Sequence, residues 1–335
     1  MVRKVQKTTT TNRGQVHQGP RPNLKQSNLH GEILEAADSE GFGDDLPKKK
    51  SESITRCAFQ NCGPQPQYKR TKKSIGNSEA LLQGQYDVIM FAEHGLNPSK
   101  LETGQSWHDR ICMNLKKTFS HLGYNSTENE RSRWNQFGGS GVTISEDLRS
   151  RKNGHGADPK KLGRWTWVRI VGKRGEATVF VSAYRPIKNI RDNGSVWRQQ
   201  DRFLQSEGVE NPDVQAEFIT DLCTEIGKWR DNGHHVVLGM DANEDVRNGK
   251  VSDALEEVGM MEGVISKHKS KSVPATCAKN KSRTPIDSIW ISPGIEVIQC
   301  GYLPMHDYQG FDSDHRLIWV ELDNTSIFGH YPQKM

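Results

Sequence analysis

The length of the apolar segments most constrains how this chain can fold. No segment approaches the roughly 18 consecutive apolar residues of a membrane-spanning helix. The apolar runs are instead short and rich in Val, Ile and Phe, and several lack the polar alternation of a half-exposed strand, as expected for a sheet covered on both faces. These runs are Asp87–Ala92, Gly141–Ile144, Trp165–Val171, Thr178–Ala183, Val236–Leu238, Ile286–Ile291 and Arg316–Leu322.

Helical periodicity appears between these strand-length runs. In Gln215–Arg230, apolar residues recur at helical spacing at Phe218, Leu222 and Ile226. Strands that alternate with amphipathic helices predict an α/β domain built in layers.

The charge distribution suggests how the chain is divided. The formal net charge is +5, but six basic residues precede the first acidic residue, Glu32. This stretch has too few large apolar residues to fold by itself. We predict a disordered basic and polar tail over 1–51, a folded domain over 52–323, and a short C-terminal tail over 324–335. A nucleic-acid-binding arm is the alternative for the first tail, and the run PKKK at 47–50 is either a nuclear address or a solvated linker.

The cysteines indicate a reducing compartment. The six cysteines form no C-x-x-C pair, and no secretory signal precedes them. This pattern disfavours both a disulfide framework and a structural zinc. We therefore expect an intracellular protein, nuclear or cytoplasmic, that is monomeric and has no membrane contact.

Polar residues collect where the apolar runs end. A single polar residue at a strand end is ordinarily a turn former or a helix cap. If the strands lie side by side in packed sheets, however, these residues converge at one rim. They are Asn61, Glu93, Tyr184, Asp241, Asn243, Asp287, Ser313, Asp314 and His315.

The residue types in this set point to a metal-assisted reaction. Carboxylate and amide oxygens suit a hard cation, Mg²⁺ or Mn²⁺. A metal and a cationic His can neutralise charge growing on a phosphorane, while a separate carboxylate activates water, so the set suits phosphodiester hydrolysis. The sequence contains neither a G-x-x-x-x-G-K-[ST] loop nor a G-x-S-x-G elbow, which argues against P-loop NTP hydrolysis and serine hydrolysis.

The order of the short motifs resembles a known superfamily. Asn61, FAEHGLN, AYRP, GMDAN, PIDSIW and SDHR follow one another as in the endonuclease/exonuclease/phosphatase superfamily, over about residues 54–323. The resemblance implies a DNase-I-like four-layer α/β sandwich, in which two packed mixed β-sheets are flanked by helices. Two departures stand out: Gly63 replaces a polar residue of several members, and Met240 lies between Gly and Asp where GDFN is usual.

The resemblance also implies a role for each matching residue. Glu93 would be the principal Mg²⁺ ligand, with Asn61 and Asp314 helping to hold the metal. Tyr184 would contact the scissile phosphate, Asp241 would orient or deprotonate the attacking water, and Asn243 would donate to the phosphate. Asp287 would orient the catalytic His315. Ser313 would support its loop, and Thr276 would place a hydroxyl near the phosphate.

The substrate is expected to be DNA, nicked on one strand. The polar stretch after Tyr184, with Trp197, Gln199, Gln200 and Arg202, resembles retrotransposon-type endonuclease domains; its function would be to grip a DNA backbone, and the alternative is a surface excursion with a short helix. Lys160, Lys161 and Arg164 lie near two Trp residues and would suit phosphate contacts. Abasic-site nucleases usually carry aromatic residues beside the Asp that corresponds to Asp287, and these help to form the pocket for the damaged sugar. Ser288 directly after Asp287 therefore disfavours such a pocket.

Three alternatives to this function remain open. They are an abasic-site repair nuclease, an inositol-phosphate or lipid-headgroup phosphatase, and a non-catalytic nucleic-acid-binding module with the same fold.

Overall fold

The computed structural model describes residues 40–329, except 66–71, 102–105, 113, 116, 128–134, 174, 270–271, 280–282 and 306. The described residues all belong to one compact unit, Ala36–Met335. The tails were predicted over 1–51 and 324–335, and residues 1–39 and 330–335 of them lie outside the described residues.

The described strands and helices are interspersed along the chain, with several strands following one another directly. The strands are β1 (Phe42–Gly43), β2 (Ile54–Asn61), β3 (Val88–Ala92), β4 (Phe119–Gly123), β5 (Ser140–Ile144), β6 (Lys152–Ala157), β7 (Trp165–Val171), β8 (Ala177–Tyr184), β9 (His235–Asp241), β10 (Met261–Glu262), β11 (Asp287–Ile291), β12 (Val297–Tyr302) and β13 (Ile318–Asp323). The helices are α1 (Lys72–Gly84), α2 (Trp107–Arg110), α3 (Glu146–Arg149), α4 (Val196–Ser206), α5 (Val214–Asp231), α6 (Lys250–Glu257), α7 (Ile265–His268) and α8 (Asn324–Phe328).

Two mixed sheets result. The first sheet has the order β1-β12-β13-β2-β3-β5-β4, and the second has the order β10-β11-β9-β8-β7-β6. In each sheet one central pair is parallel, β2 with β3 and β8 with β9, and the other pairs are antiparallel. Within each parallel pair, the carboxyl ends of the two strands therefore lie side by side.

The sheets pack face to face over an apolar core. Phe59 and Met90 of the first sheet meet Phe180, Val237 and Ile289 of the second, and all five are fully buried. Every second residue of these strands enters this layer, because side chains alternate between the faces of a strand.

Helices cover the outer faces of both sheets. Phe218, Leu222 and Ile226 of α5 pack on the second sheet, and Trp107 of α2 stacks on Phe91 of the first sheet at 3.8 Å. The α5 prediction is confirmed: the helix spans Val214–Asp231, and the Asp213 side chain caps its N-terminus. The four-layer sandwich is likewise confirmed.

The ordered structure extends beyond the predicted domain limits of 52 and 323. Phe42 and Gly43 pair with Tyr302 and Gly301 of β12, although the sequence assigns them to the tail. At the other end, α8 buries Ile327 and Phe328 in the inter-sheet core. Both segments are too short for periodicity to reveal them, and they are held by contacts distant in sequence.

None of the described helices is long and apolar enough to cross a membrane.

Candidate active site

The strand ends that carry polar residues meet at one rim of the sandwich. In the second sheet, Asp241 at the end of β9 is in register with Tyr184 of β8 and with Asp287, the first residue of β11. In the first sheet, Asn61 at the end of β2 is in register with Ala92, and Glu93 follows directly. The predicted convergence is therefore observed.

Asn61 connects the two sheets at this rim. Its amide Nδ2 donates to Glu93 Oε2 at 2.8 Å and to Asp241 Oδ2 at 2.7 Å. Its Oδ1 accepts the backbone N–H of Gly63 at 3.0 Å. Asn61 is 1% exposed, and its amide holds together the half-buried Glu93 carboxylate and the buried Asp241 carboxylate, whose like charges would otherwise repel each other.

Glu93 is held by an unusual backbone. Its φ of 56° lies in the left-handed region, which non-glycine residues adopt at some cost and which clusters at functional sites. The Glu93 N–H donates to the Gly139 carbonyl at 2.8 Å, which fixes this conformation. The buried Tyr184 hydroxyl hydrogen-bonds the Glu93 carboxylate, and burial, with Glu93 and Asp241, raises the pKa of Tyr184 well above its usual value.

Asp241 and Asn243 are held together by a turn rather than by a continuous strand. The strand ends at Asp241, and Asn243 has a φ of 50°. The turn is closed by the Asn243 N–H, which donates to Asp241 Oδ1 at 2.9 Å, and by Asn243 Nδ2, which donates to the Arg185 carbonyl at 2.8 Å. The Asn243 side chain thus secures the loop, and its role towards a phosphate stays a prediction.

Arg185 is a site residue that the sequence does not single out. Its N–H donates to the Asp241 carbonyl at 3.0 Å, and its Nη1 donates to the Ala242 carbonyl at 3.0 Å. The same nitrogen pairs with Glu244 Oε2 at 2.9 Å. Arg185 and Glu244 therefore clamp the turn that carries Asp241 and Asn243. The sequence signal that could have identified this clamp is the basic residue directly after Tyr184 together with the acidic Glu244 in DANED.

His315 and Asp287 form the predicted pair. His315 Nδ1 lies 2.8 Å from Asp287 Oδ2, and both residues are buried. Burial alone would lower the pKa of His315, but the Asp287 charge and hydrogen bond, with further contributions from Cys277 and Asp241, raise it well above the usual value. This shift favours the protonated imidazole, whose Nδ1–H donates to Asp287.

Thr276 and Ser313 support this pair from behind. Thr276 Oγ1 accepts the N–H groups of Ile286 and Asp287 at 2.9 and 3.0 Å, and the residue is fully buried. Ser313 Oγ donates to the Asn61 carbonyl at 2.6 Å and accepts the His315 N–H at 3.2 Å. Both hydroxyls position strand ends in this structure; contact of Thr276 with a phosphate stays a prediction.

The Asp314 side chain contacts a different partner from the other predicted metal ligands. Its carboxylate pairs with Lys279 at 3.0 Å. Burial would raise the pKa of Asp314, but His315 and Lys279 together lower it. A metal-binding role for Asp314 has no contact with Glu93 or Asn61 to support it.

Asp241 bears the largest electrostatic conflict at the rim. Burial raises its pKa from 3.8 to about 8, with Asp287 and Glu93 adding to the effect and His315 and Asn61 opposing it. A cation beside it would favour the ionised carboxylate.

The donor set fits a divalent cation. Asp241, Asp287 and His315 each offer a ligand atom, all within 4.8 Å of one another. Asp287 Oδ1 is buried and has no hydrogen-bond partner among the described residues, so it awaits a further partner. Because His315 Nδ1 is already bonded to Asp287, the oxygens of Glu93, Asn61 and Asp241 suit a hard cation better than the imidazole does.

Several residues that were predicted to contact nucleic acid bind other side chains of the protein instead. Arg164 is 1% exposed and bonds Asp158 through Nε and Nη2 at 2.7 and 2.8 Å, and Lys160 pairs with Asp221 at 2.7 Å. Trp165 is a core residue. Of the residues in this cluster, neither Arg164 nor Trp165 can contact a phosphate or a base from its buried position.

The stretch after Tyr184 folds as the helical alternative describes. Gln199 on α4 is 2% exposed and its Oε1 accepts from Asn125, Thr127 and Gln136 at 2.7–2.9 Å. Arg202 donates to the Asn193 carbonyl at 3.0 Å. Gln199 therefore anchors the helix, and Gln200 is buried as well.

The structure also explains the residues Met240 and Ser288. Met240 is fully buried among the apolar residues under α5 and α6, so it serves the outer layer. Ser288 is also fully buried and accepts the Trp290 indole N–H at 2.7 Å on that same side. Ser288 does not face the rim, and its identity is no argument against an abasic-sugar pocket.

This architecture, with polar residues of both sheets joined at one rim, is the endonuclease/exonuclease/phosphatase fold, of the DNase-I-like type. Among solved structures, the APE2 catalytic domain of Xenopus laevis matches with a TM-score of 0.56 and 13% identity, covering 80% of this chain and 92% of that one. The human Nocturnin catalytic domain with bound sulfate matches with a TM-score of 0.55 and 13% identity over 81% and 93% of the two chains.

A mannosyl-6-phosphatase of Bacteroides thetaiotaomicron matches with a TM-score of 0.52 and 14% identity, over 80% of this chain and 99% of that one. No protein-family model and no curated protein sequence matches this chain. At such low identity the similarity establishes the fold, and the substrate must be argued from this chain's own residues.

Proposed function

We propose that the protein is a Mg²⁺-dependent phosphodiesterase that nicks one strand of DNA, as mobile-element endonucleases do. The observation that carries this proposal is the buried network in which Asn61 bridges Glu93 and Asp241 at the end of the Asp287–His315 pair. Two carboxylates, an amide and a cationic imidazole thus lie where strand ends of both sheets meet.

The residues divide the work of hydrolysis between them. Asp241 orients the water and takes its proton as the water oxygen bonds to phosphorus. The P–O3′ bond breaks with its electron pair leaving on O3′, which takes a proton from solvent, and the products are a 3′ hydroxyl and a 5′ phosphate. His315, kept cationic by Asp287, stabilises the negative charge that grows on the phosphate oxygens.

Glu93 and Asn61 would hold the Mg²⁺ ion, for which Mn²⁺ could substitute. When bound, the ion supplies positive charge to the phosphate oxygens. Tyr184, whose hydroxyl faces Glu93, keeps this carboxylate in place beside the phosphate.

A cationic loop beside the rim supports DNA as the substrate. Directly after Arg185 and Pro186, the loop exposes Lys188 and Arg191. Arg198 Nε donates to the Ile190 carbonyl at 3.2 Å and so holds the loop against α4. Two exposed cations on a pinned loop provide phosphate contacts on one side of the site, and such contacts make DNA binding salt-dependent.

The central experiment offers three substrates to the purified protein with Mg²⁺ or EDTA. These are supercoiled plasmid, an abasic oligonucleotide and an inositol polyphosphate. We expect Mg²⁺-dependent plasmid nicking that falls by about 10²- to 10⁴-fold in Glu93→Gln and in His315→Gln. The matched controls Glu146→Gln, on exposed α3, and His108→Gln, on exposed α2, keep their activity.

Each other outcome rejects a part of the proposal. Nicking that survives in both site variants contradicts the site. Cleavage confined to the abasic oligonucleotide makes the enzyme a repair nuclease, a reading that the position of Ser288 leaves open. Phosphate release from the inositol compound without nicking makes it a phosphatase, and DNA binding without any cleavage makes it a binding module.

A further inference from the structure

A second group of metal-ligand residues lies outside the proposed active site, where β1 pairs with β12. Asp44, His268 and Cys300 each offer one ligand atom, and the three atoms lie within 4.8 Å of one another. His268 Nε2 is 3.6 Å from Cys300 Sγ and 3.7 Å from Asp44 Oδ2. Three separate segments contribute: the residue after β1, the end of α7 and the middle of β12.

These separations suit a tetrahedral ion. With metal–nitrogen and metal–sulfur bonds of about 2.0 and 2.3 Å, tetrahedral N and S ligands lie about 3.5 Å apart, and N and O ligands about 3.3 Å. The observed nitrogen–sulfur distance already matches, and the carboxylate must move by a few tenths of an ångström. A thiolate, an imidazole and a carboxylate together favour Zn²⁺ or a similar ion over Mg²⁺.

The surrounding contacts hold the ligands in place. The Cys300 N–H donates to Asp44 Oδ2 at 3.0 Å, which orients the carboxylate. The Phe42 ring meets the His268 ring edge-on at a centroid distance of 5.8 Å. A Cβ on Gly43 would lie 2.7 Å from His268 Nε2, so only glycine at this position leaves room for the imidazole.

A buried acid lies behind the cluster. Cys300 Sγ contacts the Gly263 carbonyl at 3.6 Å, and the neighbouring Glu262 is 7% exposed, with an Oε1 that has no hydrogen-bond partner in the described part of the chain. A buried carboxyl oxygen without a partner among the described residues thus lies in the segment that Cys300 contacts.

We propose that Asp44, His268 and Cys300 bind one Zn²⁺-type cation, with water as the fourth ligand, and that this ion fastens the β1 segment to the first sheet. Binding displaces the Cys300 thiol proton to solvent. It also replaces the hydrogen bond from His268 Nε2 to the Cys300 carbonyl, 3.0 Å long, as the imidazole proton moves to Nδ1. Affinity therefore rises with pH.

Co²⁺ is the probe, because a cobalt–thiolate bond gives a charge-transfer absorption band in the near ultraviolet. The EDTA-treated protein is titrated with Co²⁺ in excess Mg²⁺, which occupies the hard-cation site. We expect the band to saturate at one Co²⁺ per chain and to disappear when Zn²⁺ is added. Cys300→Ser removes the band, and His268→Gln weakens binding by more than about 100-fold, since loss of an outer-sphere partner alone costs about 10- to 100-fold.

Two cysteine variants serve as controls. Cys223→Ser changes a half-buried thiol on α5, and Cys277→Ser changes the thiol next to His315; both keep the band. Circular dichroism establishes that each variant is folded, and the partly exposed His268 decides the outcome if Cys300→Ser does not fold. Absence of the band in the unchanged protein, its persistence in His268→Gln, or its loss in Cys277→Ser overturns the proposal. Nuclease activity does not enter this test.

Discussion

At the residue scale, the site combines groups that would repel one another without their partners. Asn61 neutralises none of the charge on Glu93 and Asp241, yet it gives each carboxylate a hydrogen bond. Among the predicted catalytic and metal-binding residues that the structure brings together at the rim, only His315 can carry a positive charge, and Asp287 favours that charged form. Asp241 therefore lies in an environment that disfavours its charged form, and ionisation of this carboxyl group lowers the free energy of unfolding.

This cost makes stability depend on pH through Asp241. Its pKa is raised from 3.8 to about 8, so the folded state binds the proton more tightly than the unfolded chain. The resulting stabilisation is complete below about pH 4 and is lost as the pH rises towards 8. In EDTA, we expect the Tm of the unchanged protein to fall relative to that of Asp241→Asn between about pH 5 and about pH 9.

The exposed Asp231→Asn, at the end of α5, serves as the control for this pH series. A Tm difference between Asp241→Asn and the unchanged protein that stays constant over the whole pH range would show that Asp241 titrates normally.

The Arg185 clamp predicts a different kinetic effect. Arg185→Met removes the bonds to the Ala242 carbonyl and to Glu244, so the turn holding Asp241 loses its fixed geometry. We expect kcat to fall by about 10- to 100-fold with a smaller change in KM, because small displacements of catalytic groups mainly affect the chemical step. Arg185→Lys restores part of kcat through the ion pair with Glu244.

The matched control is Arg247→Met, since Arg247 pairs with Asp245 on the surface of the same loop at 2.6 Å. Equal losses of kcat in the Arg185 and Arg247 variants would contradict a specific positioning role for Arg185.

At the scale of elements, close contact between β2 and β9 brings the two halves of the site together. Gly239 in β9 faces the Phe59 ring, and a Cβ at Gly239 would lie 2.7 Å from that side chain. The glycine therefore lets the two sheets approach each other closely. Asn61 lies two residues after Phe59, and Asp241 two residues after Gly239, so the same faces carry the hydrogen bond between the sheets.

Two glycine substitutions should therefore have opposite effects. Gly239→Ala overpacks the core, and we expect it to lower the free energy of unfolding by about 1–3 kcal/mol. Gly227→Ala, in α5 with open space around its Cβ position, should raise it by about 0.5–1 kcal/mol. Urea unfolding of both variants measures the difference; a Gly239→Ala protein as stable as the parent would mean that the sheets can move apart without loss.

Sequence prediction was most accurate for buried elements and least accurate for edge strands. β7, β8 and α5 carry continuous or periodic apolar residues and were predicted within a residue or two. β4 and β6 contain polar residues, such as the half-buried His121 and the exposed His155, and were missed. Their stability comes from pairing with β5 and β7, which no local pattern records.

At the scale of the whole molecule, the segment around β1 is part of the folded unit. Lys50 bonds both oxygens of the largely buried Asp87 at 2.7 and 2.6 Å, and Asp44 accepts the Cys300 N–H. The predicted limit at residue 52 would remove both contacts and leave Asp87 without its cation.

Two truncated variants test the true limit. A chain that begins at Glu40 should keep the Tm of the full chain, whereas one that begins at Glu52 should unfold several degrees lower, at about 2–4 °C for each kcal/mol lost. Thermal unfolding followed by circular dichroism measures both. Equal Tm values would show that β1 and Lys50 contribute nothing to stability.

The sequence by itself determined the layers and the inventory of polar strand ends, because apolar periodicity reports which faces are buried and short motifs report residue type. Only the tertiary structure decided how those residues work together. Asn61 and Asp241 are 180 positions apart, and the contact between them depends on sheet packing at Gly239 and Phe59. Tertiary packing also buries Gln199, Arg164 and Ser288, so that they cannot contact a substrate, and it places Arg185 against the turn at Asp241. Burial and hydrogen-bond partners depend on contacts between segments that are distant in the chain, and local sequence patterns do not report such contacts.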